Sequence, residues 1–190
     1  VIEDTGVTGE EITKEFGEEV FLLVDGVTKL TQLNYEHDKI DKQAENLRKM
    51  FLAMAKDIRV ILIKLADRLH NQRTMQYQTP EKQIEKSRET MEIYSPIAQR
   101  LGISKIKVEL DDLSLKFLQP EVYHDLERQL KLGKEAREKF VKDIVAEVKQ
   151  HIDNAGIPCE IDGRVKHFFS IYKKMVNQDK TLDQIYDLFA

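Results

Sequence analysis

Asp67, His70 and Asn71 close a run that packing alone would not end this way. The stretch Ile58-Arg-Val-Ile-Leu-Ile-Lys-Leu-Ala-Asp-Arg-Leu-His-Asn71 passes from an apolar series straight into Asp, Arg, His and Asn. On a helix, Asp67, His70 and Asn71 stand at i, i+3 and i+4 and share one face. A carboxylate, an imidazole and an amide at the end of a buried helix suit a metal or phosphate pocket. Plainer readings stay open. Asp67 also reads as a salt-bridge partner of Lys64 or Arg68, and His70 as a hydrogen-bonded structural side chain. A second group lies far along the chain. Arg164, Lys166, Lys173 and Lys174 have no acid between them. Four cations near a strand-to-helix junction make a phosphate cradle, to which a helix N-terminus adds its dipole. Ser170 is one turn on from Lys166 and can donate to a phosphate oxygen, and Lys174 shares its face. A solvated basic helix face fits the same charges.

The elements that must carry these residues are mostly helical. Thr8-Gly-Glu-Glu11 forms a capping box before Ile12, Phe16 and Val20, so a short helix starts near Thr8. Asp25-Gly26 is a turn signal, followed by Val27, Leu30 and Leu33. Residues 37–56 are rich in helix formers, with Leu47, Met50, Phe51 and Met54 on one stripe. Residues 58–74 are apolar almost all round, which predicts a central, buried helix. Thr79-Pro80 marks a helix start, with Thr79 as cap, running to about Leu101 with a kink or restart at Ser95-Pro96. Gly102, Pro120 and Gly133 separate three further helices over 103–118, 121–132 and 134–154. Then the character changes. Residues 159–163 alternate like a short strand, 166–176 read as a helix, 181–186 as a turn or short helix, and 187–190 as the opening of a strand.

Composition bounds the reading. One third of the 190 residues are charged, 41% are hydrophobic, and the net charge is −4. That excludes a generic nucleic-acid binder and fits a globular domain. No apolar run approaches the roughly 20 residues of a membrane span, and the acidic opening does not resemble a signal peptide. The single cysteine, Cys159, rules out an internal disulfide framework and a cysteine-based zinc site, and fits a reducing cytoplasm. The chain has no initiator methionine and ends on an apolar rise, so both ends read as cut. Ends of that kind would expose core and favour homo-oligomers.

Three blocks together resemble the RelA/SpoT family, enzymes that make and destroy guanosine tetra- and pentaphosphate. Val1-Ile-Glu-Asp-Thr is similar to the tail of that family's His-Asp-x-x-Glu-Asp hydrolase motif. Leu23-Val-Asp-Gly-Val-Thr-Lys-Leu30, Gln43-Ala-Glu-Asn-Leu-Arg-Lys-Met50 and Lys64-Leu-Ala-Asp-Arg-Leu-His-Asn71 form the second block. Gly163-Arg-Val-Lys-His-Phe-Phe-Ser-Ile-Tyr-Lys-Lys-Met175 looks like the opening of the synthetase domain. The resemblance covers essentially the whole chain. It implies a mainly α fold: the C-terminal part of an HD-type helical hydrolase domain over 1–120, a helical connector over 121–154, and the start of an α/β nucleotidyltransferase-like synthetase domain over 155–190.

It also implies residue roles. Asp67 matches the last of the hydrolase metal ligands, with Mn2+ as the ion, and the other three ligands would precede Val1. Glu3 and Asp4 match the acids that serve the attacking water and leaving group. Asn71 and Thr74 would lie against the guanine nucleotide. Arg164, Lys166, Ser170 and Lys174 would bind the phosphates of ATP, and Asp187 matches the first Mg2+ carboxylate of the synthetase. Two positions depart from the family pattern: Gln72 stands where Met is frequent, and Val165 where Pro is usual. Substrates would be ppGpp, GTP or GDP, and ATP. Ribosomal or regulatory partners would act through regions outside this chain. A divalent ion suits the first reaction because it lowers the pKa of water and bridges phosphate oxygen. The alternative is a catalytically inactive helical module, serving as interdomain relay or nucleotide-contacting surface.

Overall fold

The computed structural model describes residues 2, 5–31, 57–131, 134–185 and 188. They belong to two compact units, 1–110 and 111–190. The expected helix over 37–56, with Leu33 and the Leu47/Met50/Phe51/Met54 stripe, falls outside the described residues, as does Gly133.

In the first unit, α1 (Gly9–Phe16) begins at the predicted capping box. The Glu11 amide donates to Thr8 Oγ1 at 3.3 Å, and the Thr8 amide donates to Glu11 Oε2 at 2.7 Å. Gly17, at φ 87°, ends the helix in a conformation that favours glycine. α2 (Glu18–Thr31) follows at once and runs straight through Asp25-Gly26, where a turn was expected. Two contacts explain the difference. Asp25 pairs with Lys29 one turn on, at 2.6 Å. A methyl group on Gly26 would stand 2.8 Å from Val60 Cγ2. The glycine is there for close approach between helices, and no turn uses its freedom.

The partner in that approach is α3 (Ile58–Arg73). Asp57 caps it, accepting from the Arg59 amide at 2.9 Å, and the Arg59 guanidinium reaches Glu19 of α2 at 2.5 Å. The expectation of a helix buried all round is corrected. Val60, Ile61, Leu65 and Leu69 are buried, but Leu62 and Ile63 are 41% and 43% exposed. Lys64, Arg68 and Gln72, spaced by four, occupy the buried side instead.

A single 3₁₀ turn (Met75–Tyr77) leads to α4 (Pro80–Glu89). Thr79 holds the N-cap position with Pro80 behind it, but its hydroxyl makes no capping bond. The expected kink at Ser95-Pro96 takes the form of a wide π turn, Thr90–Tyr94, ahead of α5 (Ser95–Arg100). The Ser95 amide reaches back five residues to the Thr90 carbonyl, and this widening makes room for a proline ring that a normal turn would not accommodate. Gly102, at φ 72°, precedes α6 (Ser104–Leu118). Ile61, Leu65, Met75, Ile93, Ile97, Ala98 and Leu110 are among the buried core residues of this unit.

In the second unit, α7 (Pro120–Lys131) and α9 (Phe168–Gln178) pack through Leu126 and Ile171, with Ile185 completing the buried cluster. Between them, α8 (Lys134–Asn154) is largely exposed. It touches the following segment through Val141 and Val145, whose methyls would each lie 2.8 Å from a Cβ on Gly163. The strand expected over 159–163 does not form, and the described residues contain no strand. An extended segment pairs only where it finds an edge, and the pairing seen is one residue long: the Lys166 amide donates to the Leu188 carbonyl at 2.7 Å. A 3₁₀ turn (Leu182–Gln184) precedes Ile185.

Candidate functional site

The end of α3 presents the first predicted group. Its buried stripe fixes the roll of the helix, so Asp67, His70, Asn71 and Thr74 all face outward. The Asp67 carboxylate is 47% exposed and is held on both oxygens. Lys64 Nζ lies 3.3 Å from Oδ2, and Asn71 Nδ2 donates to Oδ1 at 3.2 Å. The pair is one-sided: the Lys64 side chain is only 10% exposed, while the carboxylate it meets faces outward. Thr74 Oγ1 donates back to the His70 carbonyl at 3.1 Å, closing the helix. Arg73 forms a two-pronged pair with Glu109 of α6, at 2.5 and 2.8 Å, and the guanidinium holds that carboxyl below the usual carboxylate range.

Glu3 and Asp4 lie outside the described residues, so their distance from Asp67 is not part of this geometry. Among the described residues, no group of three His, Cys, Asp or Glu side chains could hold a metal ion. Asp67 offers one hard oxygen donor, the right chemistry for a divalent ion but not a coordination set.

Directly beneath this face is a buried polar network that the amino-acid pattern did not disclose. Arg68, one residue from Asp67, turns inward and pairs with Glu89 of α4 at 2.9 Å, with both side chains under one-tenth exposed. Its guanidinium lies 4.1 Å from the centre of the Tyr94 ring. Lys86 Nζ approaches the other Glu89 oxygen at 3.2 Å. Burial pushes the Glu89 carboxyl up to about 7 and the Tyr94 hydroxyl above its usual value. Gln72, fully buried, donates to Thr90 Oγ1 at 2.8 Å. The Arg68–Glu89 pair spans 21 positions in sequence, and no local spacing announces it. The one available signal was Arg68 itself, set among apolar neighbours.

The second predicted group belongs to the other unit. Arg164 is exposed, while Lys166, Ser170 and Lys174 are half-buried. Burial, then the neighbouring Lys166, holds the Lys174 ammonium below its ordinary pKa, so these two cations do come together as the spacing required. Lys173 points to the exposed side. Asp187 lies outside the described residues. A cavity of about 310 Å³ borders Lys166, His167 and Phe168, with Asp112, Lys131 and Arg137 on its other walls.

Comparison with known proteins places these features in a class. A family model described as an HD domain matches residues 1–104, and the chain belongs to that family. The particular kinship is narrower. The whole chain is 48% identical to a GTP pyrophosphokinase of Myxococcus xanthus, over 191 residues and 25% of that protein. It is 46% identical to the bifunctional (p)ppGpp synthase/hydrolase SpoT of Escherichia coli K12, over 190 residues and 27% of that protein. A probable guanosine-3′,5′-bis(diphosphate) 3′-pyrophosphohydrolase of Synechocystis is 48% identical over 194 residues. The chain thus spans about a quarter of the length of these relatives. These relatives are the RelA/SpoT-type proteins that the three sequence blocks resemble. An HD-type hydrolase domain goes with divalent-metal chemistry. No helix among the described residues is long and apolar enough to cross a membrane.

Proposed function

We propose that this chain serves guanosine tetra- and pentaphosphate metabolism in the stringent response, in the cytoplasm. Residues 1–120 belong to the hydrolase domain, 121–154 to the connector and 155–190 to the beginning of the synthetase domain. The hydrolase removes the 3′-pyrophosphate of ppGpp, and the synthetase transfers pyrophosphate from ATP to GTP or GDP. The observation that carries this reading is similarity from end to end with relatives named for both reactions.

The exposed face of α3 supports the hydrolase part. Asp67 would contribute a carboxylate to Mn2+, which would supply an activated water and positive charge for the phosphates. Asp67 is itself half-exposed, and its outer oxygen is held only by the exposed Asn71 amide, which leaves that carboxylate oxygen accessible to an ion. Asn71, exposed beside it, would offer its amide to the nucleotide as a hydrogen-bond donor. Thr74 stands one turn further along the same face. Glu3 and Asp4 handle protons for the attacking water and leaving group. In the synthetase part, Arg164, Lys166, Ser170 and Lys174 bind ATP phosphates, and Asp187 holds Mg2+.

The test is pyrophosphate release from ppGpp with Mn2+ by the full gene product, with and without Asp67→Ala. A loss of about 100-fold or more is expected from removing a ligand of the metal that makes the nucleophile. Turnover equal to the unsubstituted protein would remove Asp67 from the metal shell.

A further inference from the structure

Asp112, on α6, reaches the start of α9 from outside the proposed ATP-phosphate segment. Its Oδ1 accepts the Phe169 amide at 2.9 Å, and its Oδ2 lies 3.7 Å from His167 Nδ1. The carboxylate is only 18% exposed. His167 occupies the N-cap position of α9 but makes no side-chain capping bond. Asp112 therefore supplies, from 57 residues away, the acceptor that an N-cap side chain ordinarily supplies locally. Burial raises the Asp112 carboxyl, while the Phe169 amide and His167 pull it down. A carboxylate kept in a partly desolvated place on these partners is a built contact.

The segment it holds is the one that carries the cations. Lys166 directly precedes His167, and Ser170 directly follows Phe169. The Lys166 backbone is fixed from the other side by the Leu188 carbonyl at 2.7 Å. The placement of Lys166 against Ser170 and Lys174 then depends on the first turn of α9 staying closed. We propose that Asp112 is a positioning residue for the phosphate-binding segment, setting Lys166, Ser170 and Lys174 for a polyphosphate ligand. This rests on the reading of that segment as a phosphate site.

Simple electrostatics predicts the opposite of positioning, which makes the proposal testable. An acid beside an anion site repels the ligand, so its removal should tighten binding. Positioning predicts that its removal weakens binding, because the ligand must then order the helix start itself. Inorganic tripolyphosphate is titrated calorimetrically into the chain and its Asp112→Ala, Asp112→Asn and Lys174→Gln variants, with urea unfolding recorded for each. Asp112→Ala is expected to bind about fivefold more weakly, the equivalent of one lost cap. Asp112→Asn, whose Oδ1 still accepts from Phe169, stays within about twofold. Lys174→Gln weakens binding as a member of the site. Affinity for Asp112→Ala equal to or tighter than that of the unsubstituted chain overturns the proposal, as does equal weakening by Ala and Asn. No binding by the unsubstituted chain overturns the phosphate reading itself, a distinct outcome. Should Asp112→Ala fail to fold, the Phe169 amide proton decides. It should shift as Asp112 titrates and lose that response in Asp112→Asn, and a Phe169 signal indifferent to both refutes the contact.

Discussion

Replacing Gln72 by Met should make the protein more stable. Gln72 is fully buried on α3. Its Nε2 donates to Thr90 Oγ1 at 2.8 Å and, more weakly, to the Lys86 carbonyl at 3.3 Å. Its Oε1 is buried with no hydrogen-bond partner among the described residues. Methionine has nearly the same length and volume, so it leaves no cavity. Losing one good hydrogen bond and one long one costs about 1–1.5 kcal/mol net. Thr90 keeps its own donation to the Lys86 carbonyl at 2.7 Å, so no donor is stranded. Removing a buried acceptor that has no donor returns about 1–3 kcal/mol, and burying a thioether in place of an amide adds to it. The balance is about 1 kcal/mol of stabilisation, or roughly 3 °C in midpoint for a chain of this size. Urea denaturation followed by circular dichroism, with unchanged slope, measures it. A Met variant less stable than the parent by 1 kcal/mol or more would refute this accounting and show that the Gln72 amide anchors α3 to α4.

Three other outcomes follow from the same packing. Burial raises the Glu89 carboxyl to about 7 against an ordinary 4.5, despite the cations at its oxygens. A raised folded-state pKa favours the folded form fully below pH 4.5 and loses that advantage as pH rises through 7. Stability should therefore fall by on the order of 2 kcal/mol between pH 4.5 and pH 8, and Glu89→Gln should flatten that decline; a parallel decline in both proteins would assign it elsewhere. Gly26→Ala should cost about 1–3 kcal/mol by driving a methyl into Val60, and the further change Val60→Ala should recover part of the loss. A double-mutant cycle with no coupling would disprove that contact. Asp67→Asn should alter stability by about 1 kcal/mol or less, since the Asp67 side chain is itself half-exposed and the amide can still accept from Lys64, so any larger loss in denaturant would mark it as a structural residue.

How much of this was legible in the chain depends on where the deciding partner lies. Thr8 and Glu11 sit three apart, so their box was readable and formed as read. Pro120 and Gly102 bounded helices for reasons of backbone chemistry that no neighbour overrides. Asp25-Gly26 misled because the partner that makes use of the missing side chain, Val60, is 34 residues away. The buried side of α3 misled for a related reason. Hydropathy favours Leu62 and Ile63 as core, but Lys64, Arg68 and Gln72 turn inward where Glu89, Tyr94 and Thr90 receive the last two. Asp67, Asn71 and Thr74 were readable as a shared face because helical spacing is local. Asp112 was not, since its claim on α9 spans 57 residues.

The central claim is that the outward face of α3 belongs to a metal-dependent pyrophosphohydrolase, with Asp67 as a ligand. The most direct test is Mn2+ binding by the full gene product, followed by electron paramagnetic resonance titration, in the unsubstituted protein and in Asp67→Asn. The account predicts that Asp67→Asn weakens Mn2+ binding by about 10- to 100-fold while the unfolding midpoint barely moves. Equal Mn2+ affinity in the two proteins would contradict it.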